Sequence, residues 1–80
     1  MKKRSISIHG HPTSVALEEA FWTEIIAAAS AENLSVSRLI QTLDDKRLAA
    51  CPDQGLASYL RVWVLDRALG QKGGKITPDA

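Results

Sequence analysis

The five residues from Thr13 to Leu17 alternate in polarity and lead directly into a helix start at Glu18 and Glu19. Alternation with a period of two indicates a strand with one buried face, and acidic residues suit the positive first turn of a helix. A single strand leaves its backbone N–H and C=O groups unpaired, and too few residues follow this one to supply a partner strand. The segment is therefore predicted to pair with a second copy of the chain, unless the residues before it supply the partner.

Residues 4–8 alternate as well, with Ile6 and Ile8 on one side. The four residues that follow, from His9 to Pro12, indicate a turn, because glycine accepts a positive φ and proline fixes its own φ. A hairpin around this four-residue loop would place the apolar residues of both segments on one face. Its expected pairs are Ile8 with Thr13, Ile6 with Val15 and Arg4 with Leu17, and its outward face gains Ser5 and Ser7. The alternative is that residues 1–12 form a flexible arm.

Size and composition restrict the possible classes of protein. Eighty residues allow one domain. The single cysteine, Cys51, excludes a disulfide framework and, without an export signal, favours a cytoplasmic location. No apolar run reaches the roughly 18 residues of a membrane span. The net charge is +1, from ten Lys/Arg and nine Asp/Glu, so any nucleic-acid binding would depend on where the charges lie.

Three helical patterns follow the strand, at about residues 18–31, 36–48 and 56–69. Asn33 is suited to close the first helix because asparagine tolerates a left-handed backbone, and Ser35 is a natural N-cap for the second. The third helix, expected to end at Gly70, is apolar on more than one side, which indicates burial between two layers or at a dimer core. The predicted divisions are an arm or first strand with its turn (1–12), a core (13–48), a third helix (49–70) and a flexible tail (71–80).

The residue pattern gives little support to catalysis or metal binding. His9 and His11 are two residues apart and point the same way in an extended strand, but two ligands make an incomplete site. No glycine-rich phosphate loop is present, and the neighbours Asp44 and Asp45 point apart on a helix. We therefore expect no metal site, no cofactor and no enzymatic activity.

Three blocks of residues match one family in the same order. They are Gly10-His11 with Thr13-Ser14-Val15 and Leu17-Glu18; Phe21-Trp22; and Leu56 with Ser58, Leu60-Arg61-Val62 and Val64-Leu65-Asp66. Over about residues 4–69 the chain resembles the ribbon-helix-helix DNA-binding proteins, which are small dimeric bacterial repressors, in a form with an added third helix. The resemblance implies a mainly α fold with a short β ribbon, built as an intertwined homodimer, plus a third helix.

The resemblance also implies which residues contact DNA and which form the dimer. The outward ribbon positions that face bases fall on Pro12, Ser14 and Ala16. A phosphate would be bound at the start of the second helix, where free N–H groups and the helix dipole suit an anion; the residues there are Ser35, Val36, Ser37 and Arg38. The dimer core would contain Val15, Leu17, Phe21, Ile25, Leu39, Ile40 and Leu43.

The basic residues Lys2, Lys3 and Arg4 have two interpretations. They are predicted to form an arm along the DNA backbone, where each contact adds affinity that depends on salt and not on sequence. The alternative is an ordinary solvated terminus.

Together these features predict a homodimeric regulator of transcription, a repressor that inserts its ribbon into the major groove of double-stranded DNA. Proline and alanine carry no side-chain groups that discriminate base pairs, so modest sequence specificity is expected. One alternative is a dimeric interaction module of the same fold that binds a protein partner. Another is an antitoxin-type regulator, which would bind both an operator and a toxin.

Overall fold

The computed structural model describes residues 1–71, and within them two strands precede three helices. The elements are β1 (Lys2–Ile8), β2 (His11–Leu17), α1 (Glu19–Ala31), α2 (Val36–Ala50) and α3 (Leu56–Gln71). The predicted fold class, a mainly helical chain with a short β ribbon and an added third helix, is confirmed. Except for Gln71, which ends α3, the predicted flexible tail lies outside the described residues.

The helix boundaries differ from the predicted ones by one or two residues. Glu18 keeps an extended backbone and precedes α1 as its N-cap, because β2 continues to Leu17. α2 runs past residue 48 to Ala50. The expectation that Gly70 ends α3 is wrong, since α3 includes it; a glycine weakens a helix by about 1 kcal/mol but does not by itself end one.

β1 and β2 form an antiparallel hairpin, so the partner of β2 on one edge lies in the same chain. The prediction that this segment needs a second copy for its hydrogen bonds was wrong for that edge. β2 has one neighbouring strand in the described chain, and its other edge is unpaired. Of the two interpretations of residues 1–12, the structure has the first strand with its turn.

The hairpin turn contains two residues, not the four that the sequence suggested. His9 and Gly10 have φ values of 52° and 78°, which is the backbone of a type I′ turn and matches the twist of the strands. The register is therefore two residues away from the expected one, with Ile8 opposite His11, Ile6 opposite Thr13 and Arg4 opposite Val15. Because side chains alternate with a period of two, the shift leaves every residue on its expected face.

The hydrophobic core lies between one face of the hairpin and the three helices. β1 contacts α2, while β2 contacts α3. The buried apolar residues are Ile6, Ile8, Val15, Leu17, Trp22, Ile25, Ala28, Ala29, Leu39, Ile40, Leu43, Leu60 and Val64. At roughly 25 cal/mol per Å² of buried apolar surface, this shared cluster is the main stabilising term of so short a chain.

α3 is buried on one face only, contrary to the two-layer burial that its composition suggested. Leu60 and Val64 are enclosed, and Trp63 packs against the core. On the opposite side Val62, Leu65 and Leu69 are between 41% and 54% exposed. Val62, Leu65 and Leu69 suggested a second buried face of α3, but in the single chain they form an exposed apolar stripe.

Candidate nucleic-acid interface

One face of the hairpin packs on the helices, and the other, the outer face, points away from them. The outer face consists of Lys3, Ser5 and Ser7 from β1 and Pro12, Ser14 and Ala16 from β2. In the register, Lys3 lies opposite Ala16, Ser5 opposite Ser14 and Ser7 opposite Pro12. From the sequence, β1 was expected to add only Ser5 and Ser7 to this face. Lys3 joins them as well, because β1 starts at Lys2.

The basic N-terminal residues lie in β1 instead of forming a free arm. Arg4 is on the inner face, where its guanidinium carbon is 5.4 Å from the centre of the Trp22 ring, a cation–π contact. The Trp22 Nε1–H donates to the Lys2 carbonyl oxygen at 2.8 Å. These contacts hold the strand against α1. Of the three basic side chains, Lys3 belongs to the outer face.

The turn of the hairpin is attached to α2. The His9 backbone N–H donates to Gln41 Oε1 at 2.9 Å, and His9 Nε2 lies 2.8 Å from Asp45 Oδ1. The ring of His9 thus contacts a carboxylate, whereas His11, the first residue of β2, is exposed. Within residues 1–71 no cluster of three or more potential metal ligands occurs.

The start of α2 carries a capped first turn. Ser35 has an extended backbone and its Oγ accepts a hydrogen bond from the Arg38 N–H at 3.0 Å. That bond occupies one of the amides that a helix N-terminus leaves without an intrahelical acceptor. The N–H groups of Val36 and Ser37 have no intrahelical acceptor and lie at the positive end of the helix dipole. The Arg38 side chain is exposed. The chemistry available there is the binding of an anion.

Three arginine–carboxylate ion pairs and one histidine–carboxylate contact, which is an ion pair only when the histidine is protonated, join side chains within residues 1–71. They are His9–Asp45 at 2.8 Å, Asp44–Arg47 at 2.8 Å, Glu18–Arg61 at 3.0 Å and Glu24–Arg67 at 3.8 Å. The hydrogen bond from Arg61 is the main cause of a lowered pKa at Glu18. Arg47 also donates to the Gln54 carbonyl, which fixes the loop between α2 and α3.

Outside these pairs, the charges of residues 1–71 are separated by sign. The cationic side chains without a carboxylate partner are Lys2, Lys3, Arg4, Arg38 and Lys46, and all of them lie on β1 or α2, which contact each other. The carboxylates without a lysine or arginine partner are Glu19, Glu32, Asp53 and Asp66, which lie on α1 or its C-cap, in the loop after α2 and on α3, together with Asp45 of α2, whose partner His9 is charged only when protonated. We call the five cations the basic side. The net charge of +1 did not reveal this distribution, because Arg61 and Arg67 pair with carboxylates that are far away in the sequence.

The residues assigned to a dimer core occupy the core of the single chain. Six of them are at most 4% exposed here, namely Val15, Leu17, Ile25, Leu39, Ile40 and Leu43, and Phe21 is half-buried. A second copy of the chain would therefore contact other surfaces of the protein and not these buried residues. The available surfaces of the described chain include the free edges of β2 and β1 and the apolar stripe of α3.

A small cavity of about 200 Å³ lies between α3 and the loop before it, lined by Cys51, Gln54, Tyr59, Val62, Trp63 and Asp66. This cavity was not predicted from the sequence. Helical periodicity places the α3 residues on one side, but not the loop that closes over them.

The fold and the match to known families agree. The chain belongs to the ribbon-helix-helix family: the family model described as a ribbon-helix-helix domain matches residues 1–68. Proteins with this domain generally bind DNA as dimers.

Among solved structures, the chain is similar to an uncharacterized protein from Bordetella pertussis Tohama I, with 33% sequence identity and a TM-score of 0.81. The match covers 98% of this chain and 63% of that one, so the chain spans less than two thirds of the length of this relative. No protein of curated function matches the chain. In the described residues, none of the helices combines the length and apolarity required to cross a lipid bilayer.

Proposed function

We propose that the protein is a cytoplasmic, homodimeric DNA-binding regulator of transcription, a repressor without enzymatic activity. It presents the outer face of its hairpin to the major groove. The observation that carries the proposal is the charge separation: the unpaired cations of residues 1–71 lie on β1 and α2. A basic surface beside the ribbon attracts the phosphate backbone, which dominates affinity for DNA.

The two β2 strands that pair in the proposed dimer would enter the groove, with β1 flanking each of them. A two-stranded ribbon fits the major groove of B-DNA, which is about 12 Å wide. The outer face is exposed along most of its length and, apart from Lys3, is built of short side chains, so the backbone can approach the base edges closely. Pro12 and Ala16 offer no donor or acceptor, and Ser14 is ambivalent between bases, which favours modest sequence specificity.

The start of α2 would bind a phosphate of the same duplex. The amides of Val36 and Ser37 and the exposed Arg38 side chain supply donors, positive dipole and charge together. α2 contacts β1, so the phosphate site and the basic strand would belong to neighbouring elements. Such contacts fix the orientation of the ribbon without reading sequence.

Homodimerisation would use the free edge of β2. Antiparallel pairing of residues 13–17 with the same residues of a second copy satisfies the unpaired backbone groups and aligns two hairpins about a two-fold axis. Because Val15 and Leu17 are already enclosed within one chain, the dimer adds strand pairing to a closed core. Sedimentation equilibrium tests this step: a species of twice the 8.7 kDa chain mass is expected, and a persistent monomer at micromolar concentration contradicts it.

The DNA hypothesis is tested by fluorescence anisotropy with labelled duplexes over a range of salt concentrations. Binding is expected at low salt, with log K falling by roughly 0.9 per phosphate contact for each unit of log salt. The double variant Arg38→Gln, Lys46→Gln should lose roughly tenfold or more in affinity. Adding Glu32→Gln and Asp66→Asn restores the net charge but not the basic side, so affinity should stay low. Absence of binding by the wild-type protein to any duplex removes the proposal.

A second candidate function is a dimeric module that binds a protein partner. The apolar stripe of Val62, Leu65 and Leu69 on α3 favours it, because half-exposed aliphatic side chains at helical spacing are suited to a partner helix. A protein retained on the immobilised chain after nuclease treatment, and lost on Leu65→Asp, supports this function. An antitoxin-type regulator would show both behaviours, with operator binding by the hairpin and toxin binding elsewhere.

A further inference from the structure

Lys3 has a position that no other charged residue of the hairpin shares. It lies on the outer face opposite Ala16, whereas its neighbours Lys2 and Arg4 belong to the inner face. Arg4 is engaged with the Trp22 ring at 5.4 Å. Lys3 forms no ion pair with any described residue, and its side chain is exposed.

The residue across the ribbon gives Lys3 room to reach inward. Directly opposed side chains of an antiparallel pair have Cβ atoms about 5 Å apart, and Ala16 carries only a methyl group there. The flexible four-carbon stem of a lysine can therefore extend over Ala16 toward whatever the ribbon faces. A larger residue at position 16 would block that path.

We propose that Lys3 is the residue of the outer face that discriminates between bases, by donating to O6 and N7 of a guanine; this rests on the proposed DNA-binding function. An ammonium group is a donor without acceptor capacity, so it selects base edges rich in acceptors. Guanine presents two adjacent acceptors in the major groove, while cytosine presents a donor and adenine an acceptor beside a donor. The serines of the outer face both donate and accept, so they add contacts without the same selectivity.

β1 adds a discriminating side chain to a face that β2 leaves without one. Judged from β2 alone, the base-facing positions are Pro12, Ser14 and Ala16, which hold no strong discriminating group. The hairpin adds a second row of side chains from the same chain, and Lys3 supplies the donor that Ala16 lacks. In a two-fold symmetric dimer the two Lys3 side chains are related by the axis, so one guanine is selected in each half-site.

The test compares Lys3 with Lys2, which carries the same charge one residue away on the other face. A preferred duplex is selected from a random pool with the wild-type protein, and affinities are measured for it and for a duplex in which the selected guanine of each half-site is replaced by adenine. Lys3→Met should reduce the ratio of the two affinities by roughly tenfold, and Lys3→Arg should preserve most of it. Lys2→Met should lower both affinities alike and leave the ratio unchanged. Circular dichroism and thermal unfolding establish that each variant is folded.

The contrary results separate the two proposals. If Lys3→Met and Lys2→Met weaken both duplexes by the same factor, Lys3 contacts only phosphate, and the inference fails while DNA binding stands. A selected site without a guanine common to its half-sites also overturns the inference. If the wild-type protein binds no duplex at low salt, the proposed function fails, and the inference with it.

Discussion

His9 Nε2 lies 2.8 Å from Asp45 Oδ1, although the two residues are 36 positions apart in the chain. One helical turn before Asp45, Gln41 Oε1 accepts the backbone N–H of His9 at 2.9 Å. Two side chains of α2, spaced i and i+4 on one face, thus hold the tip of the hairpin. The orientation of the outer face relative to α2 depends on this attachment, since the strands themselves contact the helices only through their inner face.

Removing the attachment should free the turn without unfolding the protein. In the double variant Gln41→Ala, Asp45→Ala, we expect the ¹⁵N order parameters of His9 and Gly10 to fall from about 0.85 to below about 0.6. The free energy of unfolding should drop by no more than about 1 kcal/mol, because exposed ion pairs contribute little. Lys46→Ala, which changes a neighbouring exposed residue outside these contacts, serves as the control. Order parameters equal to those of the wild-type protein would show that the attachment does not restrain the turn.

Gly10 should be required for its backbone conformation and not for space. Its φ is +78°, and a Cβ added there would meet nothing within 4 Å, so the cost of Gly10→Ala comes from the left-handed backbone alone. We expect a loss of about 1–2 kcal/mol in the free energy of unfolding, measured by urea denaturation. Gly70 is equally unobstructed but has no positive φ, and Gly70→Ala should be neutral or slightly stabilising. Equal stability of the two alanine variants would argue against a type I′ turn in solution.

The ion pair between Glu18 and Arg61 should make stability depend on acid pH. The hydrogen bond from Arg61 lowers the pKa of Glu18 from its ordinary value of 4.5. A carboxyl group with a lowered folded pKa stabilises the fold when ionised, so its contribution is present above pH 4.5 and is lost as the pH falls through the folded pKa. Glu18→Gln should therefore lower the Tm at pH 7, and the difference from the wild-type protein should shrink toward low pH.

The matched control for this pair is the same substitution in an Arg61→Leu background. Without the guanidinium, the main cause of the lowered pKa is absent, so Glu18→Gln should no longer produce a Tm difference that varies with pH. A pH-dependent difference of equal size in both backgrounds would assign the effect to another group. Since the Glu18 side chain is 48% exposed, the effect should be modest and should decrease with added salt.

The elements of this fold could be predicted because their signals are local. The alternation of Val15 and Leu17 marks a strand, and Ser35 marks a helix start through its capping hydroxyl, which the structure shows accepting from Arg38. Asn33 likewise adopts the left-handed backbone expected of it, with a φ of 58°. Each of these features depends on a few neighbouring residues and not on the rest of the chain.

The register and the charge pattern could not be predicted, because both are tertiary. A two-residue turn requires a left-handed His9, and its contacts to α2 help to hold that conformation. The placement of Lys3 opposite Ala16 follows from that turn. The basic side becomes evident only when Arg61 and Arg67 are found to pair with Glu18 and Glu24. The spacing of these residues in the sequence does not predict their contacts.

The phosphate site at the start of α2 can be tested by changing its charge while keeping its cap. Ser35→Asp retains a side-chain oxygen that accepts the Arg38 N–H and is as good an N-cap as serine, so the helix should remain intact. The added negative charge lies beside the amides of Val36 and Ser37 and repels a phosphate bound to them. We expect the affinity for a duplex to fall roughly tenfold, equivalent to about 1.4 kcal/mol. Ser35→Asn caps equally well without charge and should bind like the wild-type protein. If both variants unfold at the wild-type temperature and bind DNA with the same affinity, no phosphate is bound at this helix start, and the ribbon must be held on the duplex by other contacts.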